Sequence, residues 1–249
     1  ILVLFRLACE KAGIIPAFLY VGSRRSEIEA VSRKLNPVGA VIAADGKTDL
    51  LSVYRSLGLA RNLQFLFTLE PNAFGIPSIT DLSERHVVVD FGARCIRPYE
   101  MTGIVSSSGT TGPPKCIEYS CWPRLASSRV YIERLRITEN DVILTCIPFY
   151  TGGGDMQFHI SPQIGVKFVV LSKFTPEETC RLIEREAVTG AAMVPTMIAR
   201  INGLPNLAEY DLSSLRWVVS GGGMLPYDVG ARFEDATGAK IIQGYGLMD

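Results

Sequence analysis

Residues 106–115 read SSSGTTGPPK, Ser106 to Lys115: five hydroxyls, two glycines, and a lysine behind two prolines. Three readings compete for it: a solvated linker, the phosphate loop of nucleotidases, or another device that holds phosphate. TGIVS (102–106) before the loop and KCIEYS (115–120) at its end have strand character, the second alternating by side, so the stretch is expected to join two strands. The nucleotidase loop needs G-x-x-x-x-G-K-[ST] running into a helix whose first amides cradle phosphate. Here Gly109 and Gly112 are separated differently, Lys115 follows Pro113 and Pro114, and Cys116 takes the place of the magnesium-binding Ser or Thr. That motif is absent. The chemistry still suits phosphate: glycines let amides approach closely, hydroxyls donate, lysine adds a point charge and the prolines stiffen the turn. A Ser/Gly/Pro linker shares this composition, so composition alone leaves both readings open.

The 249 residues are 47% hydrophobic and 20% charged, enough for one large or two small domains with a real core. Lys+Arg and Asp+Glu both number 25, so the overall charge points to neither nucleic acid nor an anionic membrane surface as partner. Any anion binding must be local. Cysteines 9, 95, 116, 121, 146 and 180 form no C-x-x-C pair, and His86 and His159 are the sole histidines, so the usual zinc patterns are missing. The cysteines are expected to be buried free thiols, and the lack of a disulfide framework points to a reducing, cytoplasmic setting.

ILVLFRLACEKAGIIPAFLY (1–20) is apolar, but Arg6, Glu10 and Lys11 interrupt it and no basic segment precedes it, so neither a signal peptide nor a membrane span is expected. It reads as a buried helix (2–12) entering a buried strand (14–20). The chain starts without Met inside a helical pattern and stops at Asp249 after a glycine-rich turn, so further sequence is expected on both sides.

Helical and strand patterns alternate throughout, the mark of a layered α/β fold: two βαβ-type lobes with largely parallel sheets flanked by helices. RRSEIEAVSRKL (24–35) has helical spacing, while GAVIAAD (39–45) and QFLFTL (64–69) read as strands. Further on, VKFVVLS (166–172), AAMV (191–194), LRWVVS (215–220) and AKIIQ (239–243) read as strands and YDVGARFEDAT (227–237) as a helix. TPEETCRLIERE (175–186) opens with a helix-start signature: Thr175 as cap, Pro176 at the first helical position and Glu178 three residues after the cap. The Pro/Gly-rich stretch 71–100 is the expected junction, with the first lobe over 1–85 and the second, carrying the loop, over 86–249.

Order and spacing go further than composition. SSGTTGPPK (107–115) resembles the signature SSGTTGxPK of the adenylate-forming (AMP-binding) superfamily, which includes acyl- and aryl-CoA synthetases, luciferases and the adenylation domains of peptide synthetases. Other segments resemble that family in the same order: LACEKAGIIPAFLY, IPFYTGGG (147–154), VPTMIARI (194–201), LSSLRWVVSGGGMLP (212–226) and GAKIIQGYGLMD (238–249). The resemblance covers almost the whole chain.

It implies the large N-terminal domain of an enzyme that activates a small-molecule carboxylic acid with ATP and passes the acyl group to a thiol, with coenzyme A as the expected co-substrate. Ser107, Ser108, Gly109, Thr110, Thr111, Gly112 and Lys115 would wrap the β- and γ-phosphates, with Lys115, Thr110 and Thr111 acting on charge at the leaving pyrophosphate. Gly221, Gly222 and Gly223 would border adenine and acid, and Tyr245, between Gly244 and Gly246, would stack on adenine. On the residues alone the glycine run is equally a tight turn and the tyrosine equally a packing residue. Tyr150, Thr151, Gly152 and Thr196 would lie near the acid, or serve as loop and helix-cap residues.

Two departures stand out. Many members have Thr-Glu after Y-G-x, the Thr touching the α-phosphate or the acid and the Glu holding Mg2+. Here Met248 and Asp249 follow Leu247; the Asp keeps a hard magnesium ligand, whereas a thioether cannot donate to phosphate. Thr151 stands where many acyl-CoA synthetases have His. The family's small C-terminal lid, with its lysine, would lie beyond Asp249, so residues 1–249 alone are not expected to complete the thioester cycle. A carrier-protein-loading adenylation domain and a non-catalytic nucleotide- or acyl-binding remnant are the alternatives, the second motivated by Met248. The sequence does not indicate which acid is used or the oligomeric state.

Overall fold

The computed structural model describes residues 2–19, 23–42, 50–56, 58, 63–71, 75–85, 95–106 and 114–246. They fall into two compact units, 1–120 and 121–249. No described helix is long and apolar enough to cross a membrane.

In the first unit, α1 (Leu2–Ala12) leads to β1 (Ala17–Phe18), α2 (Arg25–Leu35), β2 (Gly39–Ile42), α3 (Leu50–Ser56), β3 (Phe65–Thr68), α4 (Ile79–Glu84), β4 (Met101–Ser106) and β5 (Cys116–Ser120). The Arg24 amide donates to Glu27 Oε2 at 2.6 Å, the capping interaction expected of an acidic residue in the first turn of α2. Asn36 ends the helix in the left-handed region, its amide closing on Ser32 O at 2.9 Å. β2 and β3 form a parallel pair over Ile28, Ile42 and Tyr54. β1 is parallel to β4, and β4 is antiparallel to β5.

Two expectations for this half are corrected. Of the strand expected over 14–20, the described residues form Ala17–Phe18 only, with Ile14 and Ile15 exposed before it and Tyr20 outside the described residues. The boundary expected after residue 85 falls instead between Ser120 and Cys121. Its physical reason is that β4 pairs with β1, with Ile104 N donating to Pro16 O at 2.9 Å, so the β4–β5 hairpin belongs to the first unit.

The second unit is a doubly wound parallel sheet. Its elements are α5 (Cys121–Leu135), β6 (Val142–Thr145), α6 (Gly152–Phe158), α7 (Ile160–Ile164), β7 (Lys167–Val170), α8 (Pro176–Glu186), β8 (Gly190–Met193), α9 (Pro195–Asn202), β9 (Trp217–Ser220), α10 (Tyr227–Thr237) and β10 (Lys240–Gln243). The strand order is β10-β9-β8-β6-β7, every pair parallel. Side chains alternate across it as the pleat requires. Leu144, Ala191, Met193 and Val218 pack on Ile183, Ile198, Ile201 and Phe233 from α8–α10. Ile143, Trp217 and Val219 pack on Ile132 and Ile160 from α5 and α7. α8 starts as its sequence predicts: Thr175 Oγ1 accepts from Glu178 N at 3.3 Å, with Pro176 in the first turn.

The amino ends of three neighbouring strands are tied by Asp141, which precedes β6. It accepts from Thr189 Oγ1 (2.6 Å), Arg216 Nη2 (2.6 Å) and the Thr138 amide (2.8 Å), residues placed before β8, before β9 and at the end of the α5–β6 connection. Burial alone would raise the Asp141 carboxyl, but the hydrogen bonds from Thr189 and Thr138 and the Arg216 charge outweigh it and hold the group below its ordinary value. A folded-state value below the unfolded one stabilises above the ordinary carboxylate range, and this contribution is lost as pH falls through the folded value. Asp141→Asn is expected to cost about 2 kcal/mol at pH 7, the scale of hydrogen bonds to a charged group. Urea melts at pH 7 and pH 3 check it: the difference between variant and wild type should shrink at the lower pH, and an equal difference at both rules out the ionised carboxylate as the cause.

Candidate functional site

In the first unit, Ser106 at the end of β4 is the register partner of Cys116 at the start of β5, so residues 107–115 connect two paired antiparallel strands. A strand therefore follows Lys115, unlike the helix that a nucleotidase loop requires. Ser106 Oγ donates to Phe18 O at 3.2 Å, pinning the loop's first strand to β1. Lys115 is exposed. Ser107, Ser108, Gly109, Thr110, Thr111 and Gly112 lie outside the described residues, as do Met248 and Asp249.

In the second unit, β6 runs out to β7 on one side while β8, β9 and β10 follow on the other, so β6 and β8 flank the topological switch point of the sheet. Open parallel sheets bind ligands beyond the carboxyl ends of their strands at such a point. Four segments emerge there, and they contain the predicted residues of this half. After β6, Thr151 caps α6: its hydroxyl accepts from Gly154 N at 3.2 Å and donates to Pro148 O at 2.8 Å. Gly154 is required, because a β-carbon on it would lie 2.1 Å from Pro148 O. Tyr150 and Gly152 are half-buried beside this cap. After β8, Pro195 opens α9 and Thr196, exposed, occupies its first turn.

After β9 comes the glycine turn. Gly221 N donates to Met193 O at 3.3 Å, holding the turn against the end of β8. Gly222 has φ +76°, a left-handed conformation that glycine adopts without strain. A β-carbon on Gly222 would also meet Val194, and one on Gly223 would meet Pro195, so this turn lies over the start of α9. After β10, Gly244 N donates to Ser220 O at 2.7 Å, and Gln243 Nε2 donates to Gly223 O at 3.0 Å, joining the two glycine-bearing segments. Tyr245 is 88% exposed, so its ring serves no core.

The sequence matches the family described as AMP-binding enzyme over residues 2–248. The chain belongs to that family. A long-chain-fatty-acid–CoA ligase of Bacillus subtilis (strain 168) is 31% identical over 146 residues, covering 57% of this chain and 26% of the relative. A 4-coumarate–CoA ligase of Humulus lupulus is 32% identical over 164 residues, covering 62% of this chain and 29% of the relative. The chain thus aligns with under a third of the length of either ligase. Among solved structures, O-succinylbenzoate coenzyme A synthetase of Bacillus subtilis, in complex with ATP and magnesium ion, superposes with a TM-score of 0.79 at 19% identity, covering 99% of this chain and 47% of that one. The fold is thus that of an AMP-binding enzyme's parallel α/β architecture.

Sequence reasoning missed what braces this end of the AMP-binding chain. Arg124 of α5 grips Asp155 of α6 with both nitrogens, Nε to Oδ2 at 3.0 Å and Nη2 to Oδ1 at 2.5 Å, each side chain 5% exposed. His159 Nε2 stands 3.9 Å from the same carboxylate. Gln163 Nε2 donates to Ser128 Oγ at 2.7 Å and His159 O at 2.8 Å, a second tie between α5 and α7. The available signal was the i, i+4 spacing of Arg124, Ser128 and Ile132. Two of these are polar, so no apolar stripe advertises the buried face. Of the six cysteines expected to be buried, Cys9, Cys146 and Cys180 are; Cys116 and Cys121 are half-buried and Cys95 is exposed, all of them free thiols.

Proposed function

We propose that the protein carrying this chain activates a carboxylic acid with ATP and transfers it to coenzyme A. A carboxylate oxygen attacks the α-phosphorus, the α–β phosphoanhydride bond breaks, pyrophosphate leaves with the electron pair, and an acyl-adenylate remains. The thiol sulfur of coenzyme A then attacks the acyl carbon, AMP leaves, and the thiol proton passes to solvent. The observation that carries this reading is the meeting of the glycine turn 221–223 and the exposed Tyr245 at the ligand end of a parallel sheet. The CoA-ligase relatives support coenzyme A as the acceptor.

In this reading no covalent protein intermediate is needed; the residues align the carboxylate and neutralise the leaving charge. Ser107, Ser108, Gly109, Thr110, Thr111 and Gly112 hold the β- and γ-phosphates, and Lys115 adds its charge there. The Tyr245 ring stacks on adenine, Gly221–Gly223 let the nucleotide approach the main chain, and Tyr150, Thr151, Gly152 and Thr196 border the acid. Because the Thr151 hydroxyl is spent on capping α6, its part is to fix the Pro148–Gly154 turn. Asp249, a hard carboxylate, suits a magnesium ion that takes its other oxygens from phosphate and water, and such an ion would neutralise polyphosphate charge. The free cysteines suit the reducing cytoplasm.

Exchange of labelled pyrophosphate into ATP, run on the intact protein with a panel of carboxylic acids, tests the first half-reaction. Exchange that requires both an acid and magnesium is expected. ATP binding with no exchange for any acid would instead identify a non-catalytic nucleotide-binding remnant.

A further inference from the structure

Tyr131 lies on the inner side of α5, packed with the Ile143, Trp217 and Val219 face of the sheet. Its hydroxyl reaches the carboxyl end of β10: a β-carbon built on Gly244 would stand 3.5 Å from the Tyr131 oxygen, and equally close to Val219. The side chain is half-buried, and burial pushes its phenol up, so it remains a neutral donor and acceptor at physiological pH. Buried tyrosine hydroxyls ordinarily find a partner, yet none of the hydrogen bonds among the described residues uses this one. Val219 and Trp217 are apolar neighbours in the same cluster.

The helix that carries Tyr131 is not free to adapt. Arg124, two turns earlier on α5, is clamped to Asp155 of α6, and α6 is the helix capped by Thr151. The phenol is thereby held on the Ile143, Trp217 and Val219 face of the sheet, with its hydroxyl at Gly244, the start of the segment assigned above to the nucleotide.

Resting on the adenylation reading above, we propose that Tyr131 is a specificity-determining residue whose hydroxyl forms a hydrogen bond with a hydroxyl group on the body of the acid. The substrate class is then a hydroxylated carboxylic acid rather than a plain alkyl or aryl one. A site with an apolar wall and one polar group discriminates chiefly through that group, since an acid lacking the hydroxyl leaves the phenol unpaired.

The test uses the intact protein, its Tyr131→Phe variant, and matched acids that differ by one hydroxyl placed at successive positions. In acid-dependent pyrophosphate exchange, wild type should favour one hydroxylated member by about tenfold in kcat/KM, the scale of one neutral hydrogen bond. Tyr131→Phe should bring that member down to its unhydroxylated counterpart while leaving the counterpart, the KM for ATP and the Tm unchanged. The Tm serves as the structural control, because the hydroxyl makes no hydrogen bond among the described residues. The proposal is overturned if wild type shows no preference at any position, or if the variant lowers both acids by the same factor. If no acid supports exchange, the adenylation reading fails; calorimetric affinities of the same pair for both proteins then decide the Tyr131 assignment separately.

Discussion

Asp155→Ala is expected to destabilise the second unit by about 3–5 kcal/mol, the cost of removing one partner of a buried ion pair. Arg124 is 5% exposed, and both of its contacts to Asp155 vanish in the variant. The guanidinium would have to draw in water or shift α5 against α6. Because the penalty comes from keeping the buried guanidinium without its carboxylate rather than from the pair itself, the double variant Arg124→Met/Asp155→Leu should recover most of the loss. Urea denaturation at neutral pH measures both. A single variant within 1 kcal/mol of wild type, on the scale of exposed ion pairs (~1 kcal/mol), would show that water already reaches the pair. A double variant as unstable as the single one would instead point to shape rather than charge.

The second large effect is on ATP use. Lys115→Ala is expected to lower kcat/KM for ATP by roughly 10- to 100-fold, corresponding to the loss of one hydrogen bond between charged groups. Lys115 is exposed at the foot of β5, so the fold should hardly register its removal, with stability within about 0.5 kcal/mol of wild type. Lys115→Arg should recover part of the activity, since it keeps the charge but replaces a compact ammonium with a planar fork. Pyrophosphate exchange across an ATP titration separates the cases. Unchanged kinetics in Lys115→Ala would remove the lysine from the phosphate site and return SSSGTTGPPK to the linker reading.

Much of the fold was legible because regular elements carry local signals. Thr175, Pro176 and Glu178 announce α8, and the apolar run 217–220 is a strand buried in a parallel sheet, while 167–170 forms its partly exposed edge strand. The strands on either side of the loop could be read from alternation, and their pairing confirms that they form a hairpin. What could not be read depends on contacts distant in sequence. α5 buries Arg124 and Ser128 beside Ile132, so its inner face is polar in sequence and satisfied only by α6 and α7. α6 begins with glycines that look like a loop, although Gly154 is a steric necessity against Pro148. The boundary between the units was misplaced because proline and glycine mark turns, whereas membership of a unit is decided by pairing, here of β4 with β1.

The candidate ligand site showed a similar division. Glycine runs and an aromatic between glycines fall at the carboxyl ends of β9 and β10. The hydrogen bond from Gln243 to Gly223 and the placement of Tyr131 under Gly244 join residues with nothing in common in sequence, and no local pattern could have exposed them.

Asp141 gathers β6, β8 and β9 at their amino ends, while the segments 147–151, 194–196 and 221–223 leave from their carboxyl ends. The two ends of one short strand thus answer to different demands, and substitutions at one should combine almost additively with substitutions at the other. For an engineer this defines where to randomise. Libraries confined to residues 196, 224–226 and 245–246 leave both the Asp141 tie and the Thr151 cap of α6 intact, so the carboxyl ends can be varied while the amino ends stay tied.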